Sequence, residues 1–398
     1  MASRSRRQSS WDEADFEYSQ LQAELLVFPE MRAVDLVEGL EDLARRHPDF
    51  YPAALELGMR QLYAGTFDPG EDNLRRGLEL FLRCKHKRTP KEEIEDAENV
   101  ALNLHDMMRF DLTVPFLRKM VERHPRANGL WNLLGNALAM LGDHEGAWEA
   151  SGTAVKLAPR DGSRWTDRAL IALMAGRLDD AEKALSRALA LGEDESDGIV
   201  AAHRRVLAYL RSHIGLSYLD YLLRPHDDEA LELLEDDERD LDEENAVWNE
   251  ARLLAMGLER LRSGKIETFT ARARALRLFY KSVGRGVLSD YTPLWEDLEE
   301  VRDLEEILNT FVIRHTDGAE ALEDVCGALL DLHSFLASHG LVDARALKKL
   351  RGRLETLRPQ VAERARRYRE SLERDSSPER REALVRKFFR NKHRIAFF

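Results

Sequence analysis

The sequence predicts an all-α fold in which a helical solenoid is followed by a further helical region. Three observations lead to this prediction. Similar residues recur at a spacing of 34 residues between 128 and 195, as they do in stacked arrays of helix pairs. No segment alternates apolar and polar residues as a half-buried strand does. With 398 residues and 43% hydrophobic content, the chain exceeds the usual size of one compact domain, so we expect two regions or an extended array.

The composition argues against several classes of protein. The two cysteines, Cys84 and Cys326, are far apart in the chain, which supports neither a disulfide framework nor a thiolate metal site and suits a reducing compartment. The first residues, MASRSRRQSS, carry three arginines but no apolar run follows, so we expect no signal peptide. No window approaches the roughly 18 consecutive apolar residues of a membrane-spanning helix. These features together predict a cytoplasmic protein.

The repeat is clearest in the stretch NGLWNLLGNALAMLGDHEGAWEASGTAVKLAPRD, which begins at residue 128. A shift of 34 residues matches Trp131 with Trp165, Gly142 with Gly176, Ala147 with Ala181 and Ala154 with Ala188. The same spacing defines five frames, 17–50, 51–84, 94–127, 128–161 and 162–195. A nine-residue insertion, KHKRTPKEE at 85–93, separates the second frame from the third. Residues 17–195 are therefore predicted to form a repeat array.

These residues resemble the tetratricopeptide repeat family. The family pattern is matched here by Trp131, Leu134, Gly135, Leu138, Ala147, Ala154 and Pro159. The resemblance implies two packed helices per frame, with small residues such as Gly135 and Ala147 where the helices approach closely. Pro159 is expected to end the second helix, because proline lacks a donor and clashes with the preceding turn.

Two features depart from the family pattern. Gly70 and Gly77 stand where alanines are usual, which should loosen that second helix by roughly 0.5 to 1 kcal/mol each. Arg168 occupies a position where leucine is usual, so its guanidinium must either reach solvent or find a partner.

The remaining chain divides by charge and apolar spacing. The predicted segments are a disordered basic and acidic N-terminal tail at 1–16, a long helix within 196–226, an acidic linker at 227–245, a helical C-terminal region at 246–375 and a basic amphipathic helix at 376–398. Residues 250–283 are a candidate degenerate repeat. Further helices are expected at 293–315, 318–338 and 343–375, with Pro359 breaking or kinking the last.

Charge is distributed unevenly along the chain. Residues 345–398 hold 18 Lys and Arg against 7 Asp and Glu, a net charge of +11. Since the whole chain carries −13, residues 1–344 carry −24. A basic C-terminal end on an acidic body suggests a role for that end in binding.

The sequence contains no recognisable catalytic, cofactor-binding or metal-binding motif. Neither a phosphate-binding loop nor a dinucleotide fingerprint is found. His203 and His213 lie ten residues apart, and His333 and His339 lie six apart, so neither pair has the spacing that places two ligands on one helix face. We therefore predict that the protein is not an enzyme and needs no cofactor.

The resemblance implies that the first helix of each frame lines a groove for a peptide or helix. The positions that face this groove are Leu55, Met59, Tyr63, Glu98, Leu102, Asn132, Asn136, Met140, Thr166, Leu170 and Met174. A ligand with apolar anchors and some basic residues would suit these positions. The family's lysine- and asparagine-based clamp for chaperone carboxylates is absent, because Glu98, Leu102, Leu133, Ser163 and Asp167 stand at its positions. In the alternative interpretation, the protein's own second half covers part of this groove.

A second candidate surface is the C-terminal helix. Its stripe of Leu384, Val385, Phe388 and Phe389 is surrounded by cations that include Arg380, Arg381, Arg386, Lys387 and Arg390. Such a helix can dock on a partner, lie on an anionic membrane or contact nucleic-acid phosphates. It can equally dock on the protein's own acidic surface.

The favoured functional hypothesis is a non-catalytic adaptor or scaffold for protein–protein interaction. One alternative is a nucleic-acid-associated factor that uses the basic C-terminal helix. Another is a regulatory subunit that holds a segment of an enzyme in the groove.

Overall fold

Every regular element that the structure describes is helical, and the described residues contain no strand. The structure is a computed structural model. It describes residues 2–27, 33–63, 66–84, 86, 88–194, 198–225, 238–283, 294–298, 304–314, 318–372 and 378–389. The predicted all-α class is confirmed. The chain divides into two units, one of Met1–Tyr221 with Leu258–Thr270 and one of Leu222–Gly257 with Ala271–Phe398.

The first unit consists of helices joined mostly by short turns. In chain order they are α1 (Ala2–Val27), α2 (Ala33–Arg46), α3 (Tyr51–Tyr63), α4 (Phe67–Arg83), α5 (Pro90–Asp106), α6 (Phe110–Arg123), α7 (Asn128–Leu141), α8 (His144–Leu157), α9 (Gly162–Met174), α10 (Leu178–Ala190), α11 (Gly198–Ser212) and α12 (Tyr218–Leu222). Helices α3 to α10 form four consecutive pairs whose members pack on each other. Helices α6, α8 and α10 begin at 110, 144 and 178, so the spacing of 34 residues is present in the fold.

The turn inside three of these pairs places one residue in the left-handed region at the same position. Gly142 has a φ of 86° and Gly176 a φ of 70°, but the matching residue of the earlier pair is Met108, with a φ of 56°. A non-glycine residue there is strained by an amount on the order of 1 to 3 kcal/mol, so surrounding contacts must hold it. Met108 is buried, and the carbonyl of Met107 accepts a hydrogen bond of 3.0 Å from the Thr270 hydroxyl.

Small residues lie where the paired helices α7 and α8 approach each other. A Cβ atom added to Gly135 would stand 3.2 Å from the backbone nitrogen of Ser151. Ala147 and Ala154 of α8 are completely buried. The close approach therefore depends on residues that carry at most a methyl group, as the sequence predicts.

The glycines of α4 do not loosen this pair but admit its partner helix, which corrects the sequence prediction. A Cβ atom on Gly70 would stand 2.9 Å from the backbone nitrogen of Leu62, and one on Gly77 would stand 2.9 Å from that of Leu55. The sequence-based expectation considered only the propensity of α4 in isolation. The pair gains close backbone contact that alanines would prevent, which offsets the weaker propensity.

Helix α3 carries the counterpart of this arrangement, and it gives a test of the packing. A Cβ atom on Gly58 would stand 2.6 Å from the backbone nitrogen of Leu74 and 2.8 Å from the backbone oxygen of Gly70. We expect Gly58→Ala to lower the free energy of unfolding by about 2 kcal/mol, because α3 and α4 must separate. Urea denaturation followed by tryptophan fluorescence measures this change.

The control substitution is Gly327→Ala, which also lies within a helix. No atom lies within 4 Å of a Cβ atom at Gly327, and the glycine is exposed. Alanine there should raise helix stability by about 0.5 to 1 kcal/mol. Equal effects of the two substitutions would show that helix propensity, and not packing, decides at Gly58.

Arg168 finds partners inside the array. Its Nη1 atom donates to the backbone oxygen of Trp148 at 3.0 Å and to the Ser151 hydroxyl at 2.9 Å. The guanidinium carbon lies 3.4 Å from the centroid of the Trp148 ring, and that of Arg177 lies 4.9 Å from the same ring. The position expected to hold leucine therefore holds an arginine whose charge is placed against an aromatic face.

The N-terminal residues belong to a helix, so the predicted disordered tail at 1–16 is wrong. Helix α1 starts at Ala2 and includes Ala14, which is completely buried. The Trp11 ring lies 4.9 Å from the ring of Phe50. A helix with only a few apolar residues among many charges is stabilised here by tertiary packing, which composition alone does not reveal. The first helix of the frame 17–50 therefore begins well before residue 17.

The insertion at 85–93 supplies the start of α5, which begins at Pro90 and not at 94. The Thr89 hydroxyl accepts a hydrogen bond from the backbone nitrogen of Glu92 at 3.2 Å. In return the Thr89 backbone nitrogen donates to the Glu92 carboxylate at 2.6 Å. This capping box satisfies donors at the start of the helix and so extends α5 into the insertion.

The long helix predicted within 196–226 is interrupted. Helix α11 ends at Ser212, and Gly215 has a φ of 94°, which no continuous right-handed helix can contain. The short helix α12 follows from Tyr218. The apolar spacing predicted both helices but did not reveal the turn between them.

The predicted acidic linker at 227–245 is helical in its last part. Helix α13 begins at Glu238, so 238–245 belong to a helix, while 227–237 lie outside the described residues. Asn245 of this helix is buried. The prediction of a solvated connector is therefore wrong for the last eight residues, because tertiary contacts stabilise them.

The segment Leu258–Thr270 belongs to the first unit although it follows the acidic region in sequence. It comprises the end of α13, a turn and the start of α14. Its apolar side chains Leu258, Ile266 and Phe269 are buried, and Thr270 makes the hydrogen bond to Met107 described above. A later part of the chain thus packs on the repeat array beside the turn between α5 and α6.

The second unit contains the remaining helices. The helices after α12 are α13 (Glu238–Arg262), α14 (Glu267–Val283), α15 (Leu304–Arg314), α16 (Gly318–Ser338), α17 (Ala344–Leu372) and α18 (Pro378–Phe389), with a 3₁₀ turn at Trp295–Asp297. Helix α16 has its predicted bounds. Helix α17 continues through Pro359 without a break. The helix predicted at 293–315 is shorter, because its α-helical part starts at Leu304.

The candidate repeat at 250–283 is a helix–turn–helix in the structure. Gly264 forms the turn with a φ of 68°, and Arg277 of α14 pairs with Glu250 of α13 at 2.9 Å. Its membership of the repeat family stays a prediction.

A fully buried arginine organises the second unit. The Arg252 Nε donates to Glu296 at 2.6 Å, and one Nη donates to the backbone oxygen of Arg224 at 2.8 Å. Its other Nη donates to the backbone oxygen of Leu222. These bonds satisfy the guanidinium donors and tie α13 to two chain segments that have no regular structure.

Candidate partner-binding surface

The first helices of successive pairs lie side by side. Helix α5 packs against α7, and α7 packs against α9. We call the surface that these three helices form the first-helix face. It contains most of the positions that the sequence predicts to face a groove.

The structure sorts the eleven predicted groove residues by exposure. Buried are Leu55 (6% exposed), Asn132 (3%), Thr166 (5%) and Met174 (8%). Half-buried are Met59, Tyr63, Glu98, Asn136, Met140 and Leu170. Leu102 is 49% exposed. The helical period identified the correct side of each helix but not how closely the neighbouring helices cover it.

Two of the buried positions serve packing and cannot contact a partner in this structure. Leu55 lies against Gly77 of α4, at the close approach of that pair. The Thr166 hydroxyl donates to the backbone oxygen of Gly162 one turn earlier in α9. These two residues are therefore corrected from groove positions to structural ones.

A polar cluster crosses the first-helix face at Asp167 of α9. The Asn132 Nδ2 atom donates to the Asp167 Oδ2 atom at 2.5 Å, and Asn136 also donates a side-chain hydrogen bond to this carboxylate. Within the described residues, the Oδ1 atoms of both asparagines are buried without a hydrogen-bond partner. Two amides thus hold one carboxylate at the cost of two unsatisfied acceptors.

One cation borders this cluster. The Arg164 Nε atom donates to the Asn128 side-chain oxygen at 3.0 Å and lies 3.4 Å from the Asp161 carboxylate. Its Nη1 atom is 4.0 Å from the Asp167 Oδ2 atom, beyond hydrogen-bond distance. The guanidinium is therefore bound mainly elsewhere and only partly compensates the charge of Asp167.

Glu98 of α5 reaches across to the first turn of α7. A Cβ atom on Gly129 would stand 1.9 Å from the Glu98 Oε1 atom, so the carboxylate occupies the space that any larger residue at 129 would need. Glycine at this position therefore allows Glu98 to lie against α7. We call Glu98, Asn132, Asn136, Arg164 and Asp167 the carboxylate cluster.

The pKa values of both carboxyl groups in this cluster are perturbed. Burial raises the pKa of Glu98 and that of Asp167, although Arg164 and the asparagine hydrogen bonds oppose the effect at Asp167. Arginine partners instead lower the pKa of Glu71 and Glu93 against burial. Carboxyl groups whose ionised form lacks sufficient compensation are common at functional sites.

The sequence identified only part of this cluster. Glu98, Asn132 and Asn136 were predicted as groove residues, and Asp167 was noted at a position of the absent clamp. Arg164 was missed because a single arginine in a charged helix carries no distinctive spacing. The contact of Glu98 with Gly129 depends on the distance between helices, which the sequence does not contain.

The same residues perform the same structural task in successive pairs. The Trp131 indole nitrogen donates to the backbone oxygen of Pro125 at 3.0 Å, and Trp165 donates to that of Pro159 at 3.4 Å. Both donor and acceptor are displaced by 34 residues. The first unit is an array of tetratricopeptide repeats. Tetratricopeptide arrays are protein-interaction modules, so the fold supports a role in protein–protein interaction.

Comparisons with known proteins give further similarities. No family model matches the chain. A stretch of 90 residues is 29% identical to Protein FlbA of Caulobacter vibrioides, and it covers 23% of this chain and 15% of FlbA. The chain thus spans about a seventh of that relative's length.

Three solved structures are similar in fold to parts of the chain. The MamA RS-1 ArsTM double mutant shares 16% identity with a TM-score of 0.34, over 47% of this chain and 98% of that one. YrrB, a tetratricopeptide repeat protein with an unusual peptide-binding site, shares 13% identity with a TM-score of 0.34, over 49% and 90%. The tetratricopeptide repeat domain of P58(IPK) shares 14% identity with a TM-score of 0.25, over 87% and 99%.

Other kinds of site were sought among the described residues. They include no group of three or more His, Cys, Asp and Glu side chains placed to hold a metal ion. Burial lowers the pKa of His203 to about 4, so this ring is neutral at physiological pH. None of the helices that the structure describes combines the length and apolar character needed to cross a membrane.

The C-terminal helix α18 packs on the second unit through its apolar stripe. Leu384, Val385 and Phe389 are buried, and the Phe389 ring lies 5.5 Å from that of Tyr368 in α17. Phe388 is half-buried. Intramolecular docking, one of the alternatives from the sequence, is therefore the arrangement in this structure.

The cations of α18 are placed away from this contact where they are described. Arg380, Arg386 and Lys387 are exposed. The side chain of Arg381 and all of residues 390–398, with Arg390, lie outside the described residues. The assignment of these cations to an external partner stays a prediction.

Proposed function

We propose that this protein is a non-catalytic adaptor that binds a peptide or helix of a partner protein on its first-helix face. The observation that carries the proposal is the exposure of an apolar side chain beside incompletely compensated carboxylates. Leu102 is 49% exposed on α5, one turn after Glu98. A partner segment with apolar and basic residues would cover the leucine and meet the negative charge.

The half-buried residues extend this surface along α7 and α9. Met140 and Leu170 add apolar area, and methionine adapts to irregular ligand shapes. Isolated exposed leucines are common on protein surfaces, but this one continues into further apolar side chains at helical spacing. A helix or extended peptide is the ligand form that suits a row of parallel helices.

The charge of this surface argues against acidic ligands. Glu98 and Asp167 both carry carboxylates on the first-helix face, with Arg164 as the neighbouring cation. An acidic peptide, such as a chaperone tail, would bring like charges together. We therefore favour a partner segment with basic character.

Among the alternatives, the nucleic-acid factor receives less support than the adaptor. The apolar stripe of α18 is buried in the second unit, so only the cations of this helix face outward. The regulatory-subunit hypothesis uses the same groove and differs only in the identity of the partner. A cytoplasmic location is part of the proposal, because both Cys84 and Cys326 are free thiols.

A peptide library tests the proposal without knowledge of the partner. The full-length chain is used to select binders from random 12-residue peptides displayed on phage. We expect Leu102→Asp to weaken the selected peptides at least about tenfold, because a side chain that buries about 1.5 to 3 kcal/mol of apolar contact becomes charged. Isothermal titration calorimetry with the synthetic peptides measures the change.

The matched control is Leu157→Asp on the second helix α8. Leu157 is 38% exposed, so it carries the same substitution at a comparable exposure away from the first-helix face. Binding should survive this change. Peptides that are lost equally from both variants, or from neither, would contradict the proposed surface.

A further inference from the structure

The carboxylate cluster is arranged at a cost that folding alone does not explain. The Oδ1 atoms of Asn132 and Asn136 are buried without partners within the described residues, and Asn132 as a whole is only 3% exposed. A buried acceptor without a donor costs free energy. The carboxylate that these amides hold stays partly accessible, since the Asp167 side chain is 32% exposed.

The two carboxylates of the cluster approach α7 from opposite sides. Glu98 of α5 lies against Gly129 in the first turn of α7, and Asp167 of α9 is bound by Asn132, one turn further along. Arg164 lies 4.0 Å from Asp167 and spends its hydrogen bond on Asn128. Two carboxylates and one cation leave this part of the surface with a net negative charge.

We infer that the carboxylate cluster is a subsite for a lysine side chain of the partner segment. An ammonium group carries three donors and a full positive charge in a small volume. Bound between α5 and α9, it can donate to the carboxylates of Glu98 and Asp167. A small rotation of the Asn132 amide would bring its unpartnered oxygen within reach of the third donor.

The geometry favours lysine over arginine. An arginine binds a carboxylate best with two parallel hydrogen bonds to both oxygens of one group. Asp167 has no such free edge, because Asn132 donates to its Oδ2 atom and Asn136 donates to the same carboxylate. A compact ammonium needs only one acceptor from each group, so it fits the remaining space.

This inference rests on the proposed function, and the same selected peptides test it. Each lysine of a peptide whose binding is lost in Leu102→Asp is replaced by norleucine, which keeps the stem and removes the charge. We expect one such replacement to weaken binding to the parent protein about tenfold. Replacement of the same lysine by arginine should weaken binding as well.

A double-mutant cycle locates that lysine in the cluster. In Asp167→Asn, which keeps the size of the side chain, the norleucine replacement should cost much less than in the parent protein. Glu149→Gln serves as the control, since Glu149 is exposed on α8 and distant in sequence from the cluster. This variant should leave the norleucine effect unchanged. Thermal melts of both variants confirm that the array stays folded.

The possible results separate this inference from the proposed function. Peptides that need Leu102 but contain no lysine, or whose lysine is insensitive to Asp167→Asn, overturn the lysine subsite and leave the adaptor proposal standing. A peptide that binds better with arginine overturns the preference for an ammonium. If no selected peptide depends on Leu102, the proposed surface itself is wrong, and the lysine subsite is wrong with it.

Discussion

Arg109→Ala is expected to lower the free energy of unfolding by about 3 kcal/mol. Arg109 is completely buried between α4 and α6. Its Nε and Nη2 atoms donate to Asp111 at 2.9 and 2.7 Å, and Nη2 donates to Glu71 at 2.9 Å. A second bond joins Nη1 to Glu71. Alanine removes all four hydrogen bonds and leaves two carboxylates without their shared partner.

The estimate lies at the lower end of the range for breaking a buried ion pair. The Glu71 and Asp111 side chains are 18% and 31% exposed, so water can partly compensate their lost partner. Urea denaturation followed by circular dichroism measures the change. The control is Arg75→Ala, because Arg75 pairs with the same Glu71 but is 57% exposed and should cost well below about 1 kcal/mol. Similar losses from both variants would contradict a special role for Arg109.

The dependence of stability on pH gives a second readout for the same arginine. Burial raises the pKa of Glu71, but hydrogen bonds and charges from Arg109 and Arg75 outweigh burial and lower it below the usual 4.5. A carboxyl group with a lowered pKa stabilises the fold above its unfolded-state value, and this contribution is lost as the pH falls. The parent protein should therefore lose more stability below about pH 4.5 than Arg109→Ala does.

Sequence reasoning predicted the repeat array because its signal is periodic. The tryptophans at 131 and 165 and the helix starts at 110, 144 and 178 all repeat at 34 residues. A position that repeats can be recognised even when single residues differ. Met108 shows this, since it takes the left-handed conformation of Gly142 and Gly176 without being glycine.

Features that occur once in the chain were harder to predict. The sequence gave no sign that Arg109 is buried, because an arginine before a helix is ordinarily exposed. The helix α1 was missed for a similar reason, since its packing depends on Trp11 meeting Phe50, which lies 39 residues later in the chain. Both depend on distances between elements, which local patterns do not contain.

The candidate site shows the same division. The helical period correctly directed Glu98, Leu102 and Asn136 to one face, but it could not distinguish the exposed Leu102 from the buried Asn132. That distinction arises from the bond between Asn132 and Asp167 of the neighbouring repeat. The earlier expectation that Asn132 and Asn136 contribute little to stability is therefore revised, because their removal would leave Asp167 without donors.

Phe389→Ala combined with Leu384→Ala is expected to release the C-terminal helix α18 from the second unit. Both residues are buried, and truncation of a buried phenylalanine costs about 3 to 5 kcal/mol. Exposed charge pairs contribute only about 0 to 1 kcal/mol each, so apolar contact should dominate the docking. Amide hydrogen exchange over residues 380–389 should accelerate by about a hundredfold or more, since each 1.4 kcal/mol corresponds to a factor of ten.

Two controls distinguish burial from charge in this helix. Phe388 is half-buried and has the Lys387 ammonium 5.1 Å from its ring centroid, so Phe388→Ala should accelerate exchange far less than Phe389→Ala does. Arg386→Ala with Lys387→Ala removes two exposed cations and should leave exchange nearly unchanged even at low salt. If the charge variant releases the helix and the apolar variant does not, electrostatic attraction holds α18 in place. Because the apolar stripe is then not needed for docking, it becomes available to a partner, and the alternatives that use this helix gain support.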